Sequence, residues 1–435
     1  MVDVVTFDAD GCAAATAAAA AVAESAEGES VLTAAAIGAD EVAGALGGLS
    51  PQGRHAADLA ADALHRALSA AASSGGLLAE PPAGGERVLV AMSGGVDSAV
   101  AALLERERGA DVVAVTLKLW ADRHNDGAKS CCSPEAVIGA RALAHGMGIP
   151  HLTLDLEEAF RSQVVGEFVR GYASGLTPNP CVICNGDLRI DAMLALADRV
   201  GASRLATGHY ARVVDDGEGP LLAAASDGAK DQTYMLSALR PATLGRLRFP
   251  LADLTKPRVR ELAAAAELPV ASKSESQDLC FLAGEGKRSF LERHAGLGTR
   301  PGDVVDADGA VLGSHPGFHN FTVGQRRGLG VGGGDPLYVL GTDADENRVV
   351  VGAREDLARN RVRVRDARLR RPGDRVDRVK LRYRSSPIDC VVRAPAGRHE
   401  ELWLELAEPA YGVAPGQTAC LMDGSTVVGH ATIAS

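Results

Sequence analysis

The chain has 435 residues, enough for two or three domains that each bury a hydrophobic core. Its composition, 46% hydrophobic and 23% charged, is that of an ordinary globular protein and excludes a fibrous or largely disordered chain. The formal charge of −11 does not exclude a nucleic-acid partner, because residues 1–85 carry eleven acidic and two basic side chains, whereas 359–384 carry twelve Lys and Arg and three Asp. Phosphates respond to such a local basic stretch.

The location expected of the chain is the cytoplasm. The alanine-rich run 13–23 follows Asp3, Asp8 and Asp10 rather than Lys or Arg, which argues against a signal peptide. No apolar stretch approaches the roughly 20 residues that a membrane-spanning helix needs. In a reducing compartment the eight cysteines are expected to be catalytic or metal-binding rather than disulfide-bonded.

The first predicted unit is helical and covers 1–72. Leu59, Ala63, Leu64 and Leu68 have the spacing of one helix face. A run of Ser, Gly and Pro follows, and predicts a linker over 73–85.

An α/β domain is predicted over 86–282. Apolar strand patterns at 88–92 and 112–117 flank a predicted helix over 97–108, and a second helix should begin after Ser133 and end near His145. Further strands are expected at 152–156 and 204–207. This alternation predicts a parallel, Rossmann-like sheet.

The remainder is predicted to be rich in β-strands. Gly- and Asp-rich turns separate β-branched runs at 347–352, 376–383 and 402–406. We expect a small central domain over 283–358 and a C-terminal β-barrel over 359–435.

The strongest chemical signal lies between the first strand and the first helix of the α/β domain, in Met92-Ser-Gly-Gly-Val-Asp-Ser98. Adjacent glycines let the backbone approach a phosphate, the serines add donors, and the helix start offers free amides. The Lys of a Walker-type loop is missing. The alternative is a simple Gly-Ser turn before a helix.

A second signal is the pair Cys181 and Cys184 in Thr-Pro-Asn-Pro-Cys-x-x-Cys-Asn, together with the distant Cys280. A Cys-x-x-Cys pair can be a redox pair, two metal ligands or two thiols buried by chance. A nucleotide loop in the same domain favours a chemical role.

These motifs, in this order, resemble those of MnmA-type tRNA-uridine 2-sulfurtransferases of the PP-loop ATP pyrophosphatase superfamily, over about 86–435. The resemblance rests on the loop at 92–98, Cys-Cys-Ser at 131–133, the cysteine motif at 177–185, Ala-Thr-Gly-His-Tyr at 206–210, Lys-Asp-Gln-Thr-Tyr at 230–234, Ser-Gln-x-x-Cys-Phe at 276–281, and Phe-Thr-x-Gly-Gln-Arg-Arg-Gly-Leu-Gly at 321–330.

The resemblance implies ATP-dependent 2-thiolation of the wobble uridine of tRNA, with adenylation of the C2 carbonyl oxygen and release of AMP and pyrophosphate. Cys184 would be the catalytic nucleophile and Cys280 the carrier of persulfide sulfur. ATP with Mg²⁺ would be held by a set of residues around the loop, namely Ala91, Met92, Ser93, Gly94, Gly95, Val96, Asp97, Ser98, Leu117 and Gly208.

The resemblance also implies contacts with the anticodon stem-loop of tRNA. Residues beside the target base or along the RNA would be Asn179, Pro180, Cys181, His209, Lys230, Asp231, Gln232, Arg382, Tyr383 and Gln417. A wobble base must leave its stack to react, so contacts to a distorted loop are required. A sulfur donor, either a cysteine desulfurase or a sulfur-relay protein, is a further expected partner; a membrane is not.

Cys181 departs from one branch of the family, which has Asp there. Cys181, Cys184 and Cys280 could therefore ligate three irons of a [4Fe–4S] cluster, as an alternative to the persulfide route. A zinc site on the same three cysteines is a third hypothesis, although a fourth ligand is not evident. We interpret Cys131 and Cys132 as structural.

The N-terminal segment resembles the latter part of an IscU/NifU-type iron–sulfur scaffold, through residues 10–17, the Gly-Glu-Ser segment at 28–30, and 53–64. Cys12 is retained, and His55 stands where that family usually has its last cysteine. The segment could pass sulfur or iron, or could be only an acidic helical appendage.

Two other functions remain open at this point. Another PP-loop adenylating ligase would need an amine rather than paired thiols. An iron–sulfur carrier or redox protein would bind a cluster without consuming ATP.

Overall fold

The computed structural model describes residues 1–75, 79–122, 133–274, 279–282, 284–332 and 335–435. The N-terminal unit consists of helices α1 (Ala13–Ala26), α2 (Val31–Ala34), α3 (Ala39–Ala45) and α4 (Pro51–Ser74). Ser50 caps α4 by accepting a hydrogen bond from the Gly53 amide at 3.2 Å, and Gly75 ends it in the left-handed conformation at φ 82°.

The α/β domain follows. Its elements are β1 (Arg87–Ala91), α5 (Val96–Glu107), β2 (Asp111–Lys118), α6 (Pro134–Gly146), β3 (His151–Asp155), α7 (Glu157–Phe160), α8 (Gly166–Ala173), α9 (Pro180–Cys184), α10 (Ile190–Arg199), β4 (Arg204–Thr207), β5 (Arg212–Asp215), β6 (Pro220–Ala223), α11 (Thr233–Leu236), α12 (Pro241–Leu244), β7 (Leu247–Arg248) and α13 (Lys256–Ala265). Single π-helical segments, Arg161–Val165 and Asn185–Arg189, join α7 to α8 and α9 to α10.

The sheet of this domain is parallel, with the strand order β3-β2-β1-β4-β7. The strands predicted at 88–92, 112–117, 152–156 and 204–207 are confirmed within one residue at each end. The two predicted helices are also confirmed, and the Ser133 hydroxyl caps α6 by accepting from the Ala136 amide at 3.1 Å.

Successive residues of the strands enter different cores. Val88, Val90 and Val112 pack with α5, α6 and α13, whereas Leu89 and Val113 pack with α10 and the N-terminal unit. Because α4 lies against β3 and its neighbours, the N-terminal unit supplies part of the helical layer on one face of the sheet.

The predicted buried face of α4 is wrong in two positions. Leu59 is 54% exposed and Ala63 is exposed, whereas Leu64 and Leu68 are buried. The helix instead packs mainly through small residues, since Ala57, Ala61 and Ala72 are also buried, and alanines let the helix backbone approach the sheet closely.

The central domain contains α14 (Lys287–Ala295), β8 (Gly302–Val305), β9 (Val311–His315), β10 (Tyr338–Asp343) and β11 (Arg348–Gly352), with the sheet order β10-β11-β8-β9. The C-terminal strands are β12 (Ala358–Leu369), β13 (Arg378–Lys380), β14 (Ile388–Val391), β15 (Gly397–Tyr411), β16 (Thr418–Asp423) and β17 (Thr426–Ile433).

The predicted C-terminal barrel is confirmed. Its strands run in the order β12-β15-β14-β13-β16-β17, and β17 also pairs with β12, which closes the ring. The strand predicted at 376–383 is shorter than expected, since only Arg378–Lys380 pair, and Arg384 is left-handed at φ 58°. The strand at 402–406 is the centre of the much longer β15.

The α/β domain contributes to the barrel as well. Its hairpin β5–β6 extends the barrel sheet, because Leu222 and Ala223 pair with Val427 and Thr426 of β17. Across the same junction, Arg371 donates to Asp216 at 2.6 and 3.0 Å. No helix in the described ranges has both the length and the apolar character needed to cross a membrane.

Candidate active site

The glycine-rich loop lies at the point where the order of the sheet reverses. Strand β1 stands between β2 and β4, and in such sheets ligands bind in the crevice beyond the carboxyl ends of the strands. The loop leaves β1 at Met92 and enters α5 at its N-cap, Gly95. Gly94 has φ 68°, a left-handed conformation that favours glycine.

Hydroxyl groups hold the loop in shape. The Ser98 hydroxyl donates to the Gly95 carbonyl at 3.0 Å and accepts from the Ser93 amide at 3.1 Å, and the two hydroxyl oxygens are 3.3 Å apart. The loop leads directly into the N-terminus of α5, a helix of 12 residues, so the positive end of the helix dipole faces the crevice. The geometry suits a bound phosphate chain.

Asp97, in the first turn of α5, is tied to two distant residues. The Lys256 ammonium lies 2.7 and 2.8 Å from its two carboxylate oxygens, and the Tyr210 hydroxyl donates to one of them at 3.0 Å. Sequence reasoning missed Lys256, because a lysine 159 residues away has no local signature. Its position at the first turn of α13, before Pro257, was the only available signal.

Gly208 brings the end of β4 against this loop. A Cβ atom at this position would lie 2.7 Å from the Asp97 carbonyl carbon and 2.8 Å from the Ser98 nitrogen. The other predicted ATP residues meet at the same edge: Ala91 pairs with both Val115 and Thr207, and Leu117 lies near the end of β2. The structure therefore brings together the residues predicted to bind ATP.

His209 follows Gly208 and is neutral. Burial, and to a smaller extent the charge of the nearby Arg189, together lower the pKa of this imidazole to about 3. The Nε2 atom lies 2.6 Å from the Arg189 guanidinium and Nδ1 lies 2.8 Å from the Thr207 hydroxyl. Because arginine can only donate, Nε2 is the acceptor and Nδ1 carries the proton.

The cysteine motif forms α9, which Asn179 caps by accepting from the Val182 amide at 3.3 Å. Pro180 and Cys184 are buried, and Cys181 is half-buried. Cys184 belongs to an aromatic cluster with Phe168, Tyr172, Phe281 and Phe290, and Cys280 packs against the same cluster. The structure thus brings Cys184 and Cys280 to one cluster, and Cys181 is not among its residues.

The alternative of a [4Fe–4S] cluster on Cys181, Cys184 and Cys280 stays a prediction. Among the described residues, no three His, Cys, Asp or Glu side chains are grouped so that they could hold a metal ion. Cys131 and Cys132 lie outside the described residues. In the N-terminal unit, Cys12 and His55 are both exposed.

Several residues predicted to contact tRNA connect the domains. The Gln417 amide donates to the Thr177 carbonyl at 2.7 Å, beside the cysteine motif, and its oxygen is 3.4 Å from the Tyr234 hydroxyl. Asp231 accepts from Thr233 at 2.7 Å and lies 3.6 Å from the Lys380 ammonium.

The remaining predicted RNA contacts lie nearby. The Gln232 side chain accepts from the Tyr210 amide at 2.9 Å, and Lys230 is half-buried in the preceding turn. The Arg382 guanidinium binds the carbonyls of Val323, at 2.8 Å, and Gly412. Tyr383 is half-buried, with its ring 6.3 Å from that of Tyr234.

Models of known families match successive parts of the chain: a tRNA methyl transferase HUP domain at 86–284, a tRNA methyl transferase PRC-barrel domain at 288–353, an aminomethyltransferase β-barrel domain at 370–433, and a NifU-like N-terminal domain at 1–73. Among solved structures, an NMN synthetase from Francisella tularensis is 20% identical with a TM-score of 0.27, covering 44% of this chain and 66% of that one; so low a score supports no further argument.

Curated relatives extend the match over the whole chain. A bifunctional protein NifU/MnmA from Rubrobacter xylanophilus is 48% identical over 440 residues, which cover 99% of this chain and 88% of the relative. The tRNA-specific 2-thiouridylases MnmA of Acidithiobacillus ferrooxidans and Chloroflexus aggregans are 43% and 44% identical, covering 79% and 80% of this chain and 97% and 98% of their own lengths. The chain belongs to the MnmA family of tRNA-specific 2-thiouridylases, in the form that carries a NifU-like N-terminal domain.

Proposed function

We propose that this protein is a tRNA-uridine 2-sulfurtransferase that adenylates the C2 carbonyl oxygen of the wobble uridine at the expense of ATP and replaces that oxygen with sulfur. AMP and pyrophosphate leave, and the sulfur comes from a persulfide on Cys280. The family supports the reaction class, and the arrangement of the residues supports the assignment of the steps.

One observation carries the proposal: the cysteine helix and the nucleotide loop are linked through His209 and Gly208. The helix that begins at Pro180 and contains Cys184 continues through a π-helical segment to Arg189, whose guanidinium lies 2.6 Å from His209. His209 follows Gly208, whose Cα has room only for hydrogen beside Asp97. We infer from this link that a base entering the crevice meets the phosphate chain of ATP on one side and the cysteine helix on the other.

The first step is adenylation. The uridine O2 attacks the α-phosphorus of ATP, and the bond to the β-phosphate breaks with its electron pair leaving on pyrophosphate. The amides at the start of α5 and the serine hydroxyls hold the phosphates, and Mg²⁺ would accompany them. The product is an O2-adenylate, which makes C2 a much better electrophile.

The second step is sulfur transfer. The terminal sulfur of the Cys280 persulfide attacks C2, and AMP leaves. The Cys184 thiolate then attacks the Cys280 sulfur, which breaks the sulfur–sulfur bond, leaves the outer sulfur on C2 as 2-thiouridine, and forms a disulfide between Cys184 and Cys280. An external dithiol restores both thiols, and a cysteine desulfurase or sulfur-relay protein supplies the next persulfide.

Recognition of the tRNA is proposed to use the junction between the domains. The anticodon loop would meet Asn179, Pro180 and Cys181 on one side and the barrel residues Tyr383 and Gln417 on the other. The exposed arginines of β12 are available to the phosphate backbone. Since the described cysteines form no metal-binding group, no step is assigned to an iron–sulfur cluster.

The test compares Cys184→Ser, Cys280→Ser and the neighbouring Cys181→Ser with the wild type, each purified anaerobically and analysed for iron. Each protein receives unmodified tRNA, ATP and a persulfide donor, and 2-thiouridine, pyrophosphate and disulfide-linked peptides are measured after one turnover. We expect thiolation to fall to background in Cys184→Ser and Cys280→Ser, while both still release tRNA-dependent pyrophosphate. Only the wild type and Cys181→Ser should yield the Cys184–Cys280 peptide.

Two outcomes would contradict the proposal. About four irons per chain, with iron and thiolation both lost in Cys181→Ser, would replace the persulfide route by the cluster route. A wild-type protein that releases no pyrophosphate with any tRNA would exclude adenylation of this substrate.

A further inference from the structure

The phosphate-binding loop contains no cation of its own. Residues 92–98 include neither Lys nor Arg, whereas a Walker-type loop supplies a lysine to the β- and γ-phosphates. The proposed reaction expels pyrophosphate, on which negative charge accumulates as the bond to the α-phosphate breaks. Besides the Mg²⁺ that would accompany the phosphates, a cationic side chain from elsewhere in the fold would stabilise this charge.

Of the lysines in the described ranges, two reach the loop, and they differ in their surroundings. Lys256 is 7% exposed and is held at 2.7 and 2.8 Å by both oxygens of Asp97. Lys273 is exposed, and its ammonium donates to the Gly94 carbonyl at 2.9 Å. Among the described residues, no carboxylate forms an ion pair with Lys273. The charge of Lys256 is thus neutralised by a carboxylate of the protein, whereas Lys273 donates to an uncharged backbone carbonyl at the edge of the loop.

The segment that carries Lys273 is held in place by α13. The Arg260 guanidinium donates to the Ala271 carbonyl at 3.0 Å and to the Lys273 carbonyl at 3.3 Å. These bonds fix the backbone on both sides of residue 272. The backbone of Lys273 is therefore held beside the loop, and only its side chain has to move to reach a bound phosphate.

We propose that Lys273 is a ligand-binding residue that exchanges the Gly94 carbonyl for the β- and γ-phosphate oxygens of ATP and stabilises the departing pyrophosphate. The exchange replaces a neutral acceptor by an anionic one, so the Coulomb attraction between the ammonium and the phosphate charge is added to the hydrogen bond. The inference rests on the proposed function in one respect, the identity of the bond that breaks. The class of the ligand, a polyphosphate anion, does not depend on that function.

The experiment measures binding and turnover separately in Lys273→Ala, Lys273→Arg and the matched control Arg258→Ala. Arg258 lies on the same helix as Arg260, is exposed, and forms an ion pair with Glu261 at 2.9 Å. Calorimetry gives the dissociation constants of AMP, pyrophosphate and α,β-methylene-ATP. Losing a hydrogen bond to a charged group is worth roughly 10- to 100-fold in affinity.

We expect Lys273→Ala to weaken pyrophosphate and α,β-methylene-ATP about 10- to 100-fold and to leave AMP, which lacks those phosphates, unchanged. Lys273→Arg should recover part of the affinity, and Arg258→Ala should match the wild type. Unchanged pyrophosphate affinity in Lys273→Ala, or an equal loss for AMP, would overturn the inference. If these affinities are found but the wild type thiolates no tRNA, the inference that Lys273 binds a polyphosphate stands and the proposed function is wrong.

Discussion

Replacing Gly208 by alanine tests how closely the end of β4 must approach the nucleotide loop. The added Cβ would lie 2.7 Å from the Asp97 carbonyl carbon, 2.8 Å from the Ser98 nitrogen and 2.9 Å from the Asp97 oxygen. All three are backbone atoms, so no side-chain rotation can relieve the contact. Gly208 is not among the residues with positive φ, and the expected effect therefore comes from the contact alone.

The size of the effect follows from the displacement required. Moving the start of α5 away until the carbon–carbon distance reaches about 3.5 Å shifts the serines and amides that are proposed to hold the phosphates. Overpacking of this kind costs about 1–3 kcal/mol, which corresponds to about a 5- to 100-fold loss of affinity if the loop bears the strain. We expect Gly208→Ala to weaken α,β-methylene-ATP by such a factor while tRNA affinity changes little.

The matched control is Gly139→Ala in α6, where a Cβ meets nothing within 4 Å. A glycine-to-alanine change inside a helix stabilises it by about 1 kcal/mol, so this variant should bind the nucleotide normally. Nucleotide affinity is measured by calorimetry and tRNA affinity by filter binding. Wild-type affinity for α,β-methylene-ATP in Gly208→Ala would refute the reasoning that this contact shapes the loop.

The remaining predictions concern the N-terminal unit. Leu64 is 8% exposed, in the core that α4 shares with the sheet, and Leu64→Ala should lower the free energy of unfolding by about 2–5 kcal/mol. The control is Leu59→Ala, at a residue 54% exposed. Equal chemical-denaturation midpoints for the two variants would show that α4 is not part of that core. Burial lowers the pKa of His65 to about 4, so between pH 6.5 and pH 4 this imidazole is protonated in the unfolded chain but not in the folded one. The free energy of unfolding should therefore fall by up to about 3 kcal/mol as the pH drops from 6.5 to 4. The difference between thermal midpoints at pH 7.5 and 5.0 should be smaller in His65→Gln, and an identical difference would exclude a contribution from His65.

Local patterns predicted much of the α/β domain. The loop at 92–98, the strand before it and the helix after it are encoded by neighbouring residues, as is the start of α6 at Ser133. Cys184 and Cys280 could be proposed as partners only through the family resemblance, because nothing local relates two thiols 96 residues apart. The aromatic residues near them, Phe168, Phe281 and Phe290, form the cluster that brings them together.

Contacts between distant segments were not predictable from periodicity. The predicted buried face of α4 was right at Leu64 and Leu68 and wrong at Leu59 and Ala63, because alanines occur all around this helix and their spacing does not show which of them meet the sheet. The Lys256–Asp97 pair was missed because Lys256, 159 residues from the loop, looks like an ordinary surface charge in sequence.

The hairpin β5–β6 has a consequence for the modularity of this family. It belongs to the α/β domain in sequence, yet its strand β6 is hydrogen-bonded to β17 and its turn carries Asp216, the partner of Arg371. A chimera that takes its barrel from a relative by a single junction near residue 359 would pair a foreign β17 with the native hairpin. The natural unit of exchange is therefore the barrel together with residues 212–223, two separate stretches of one chain.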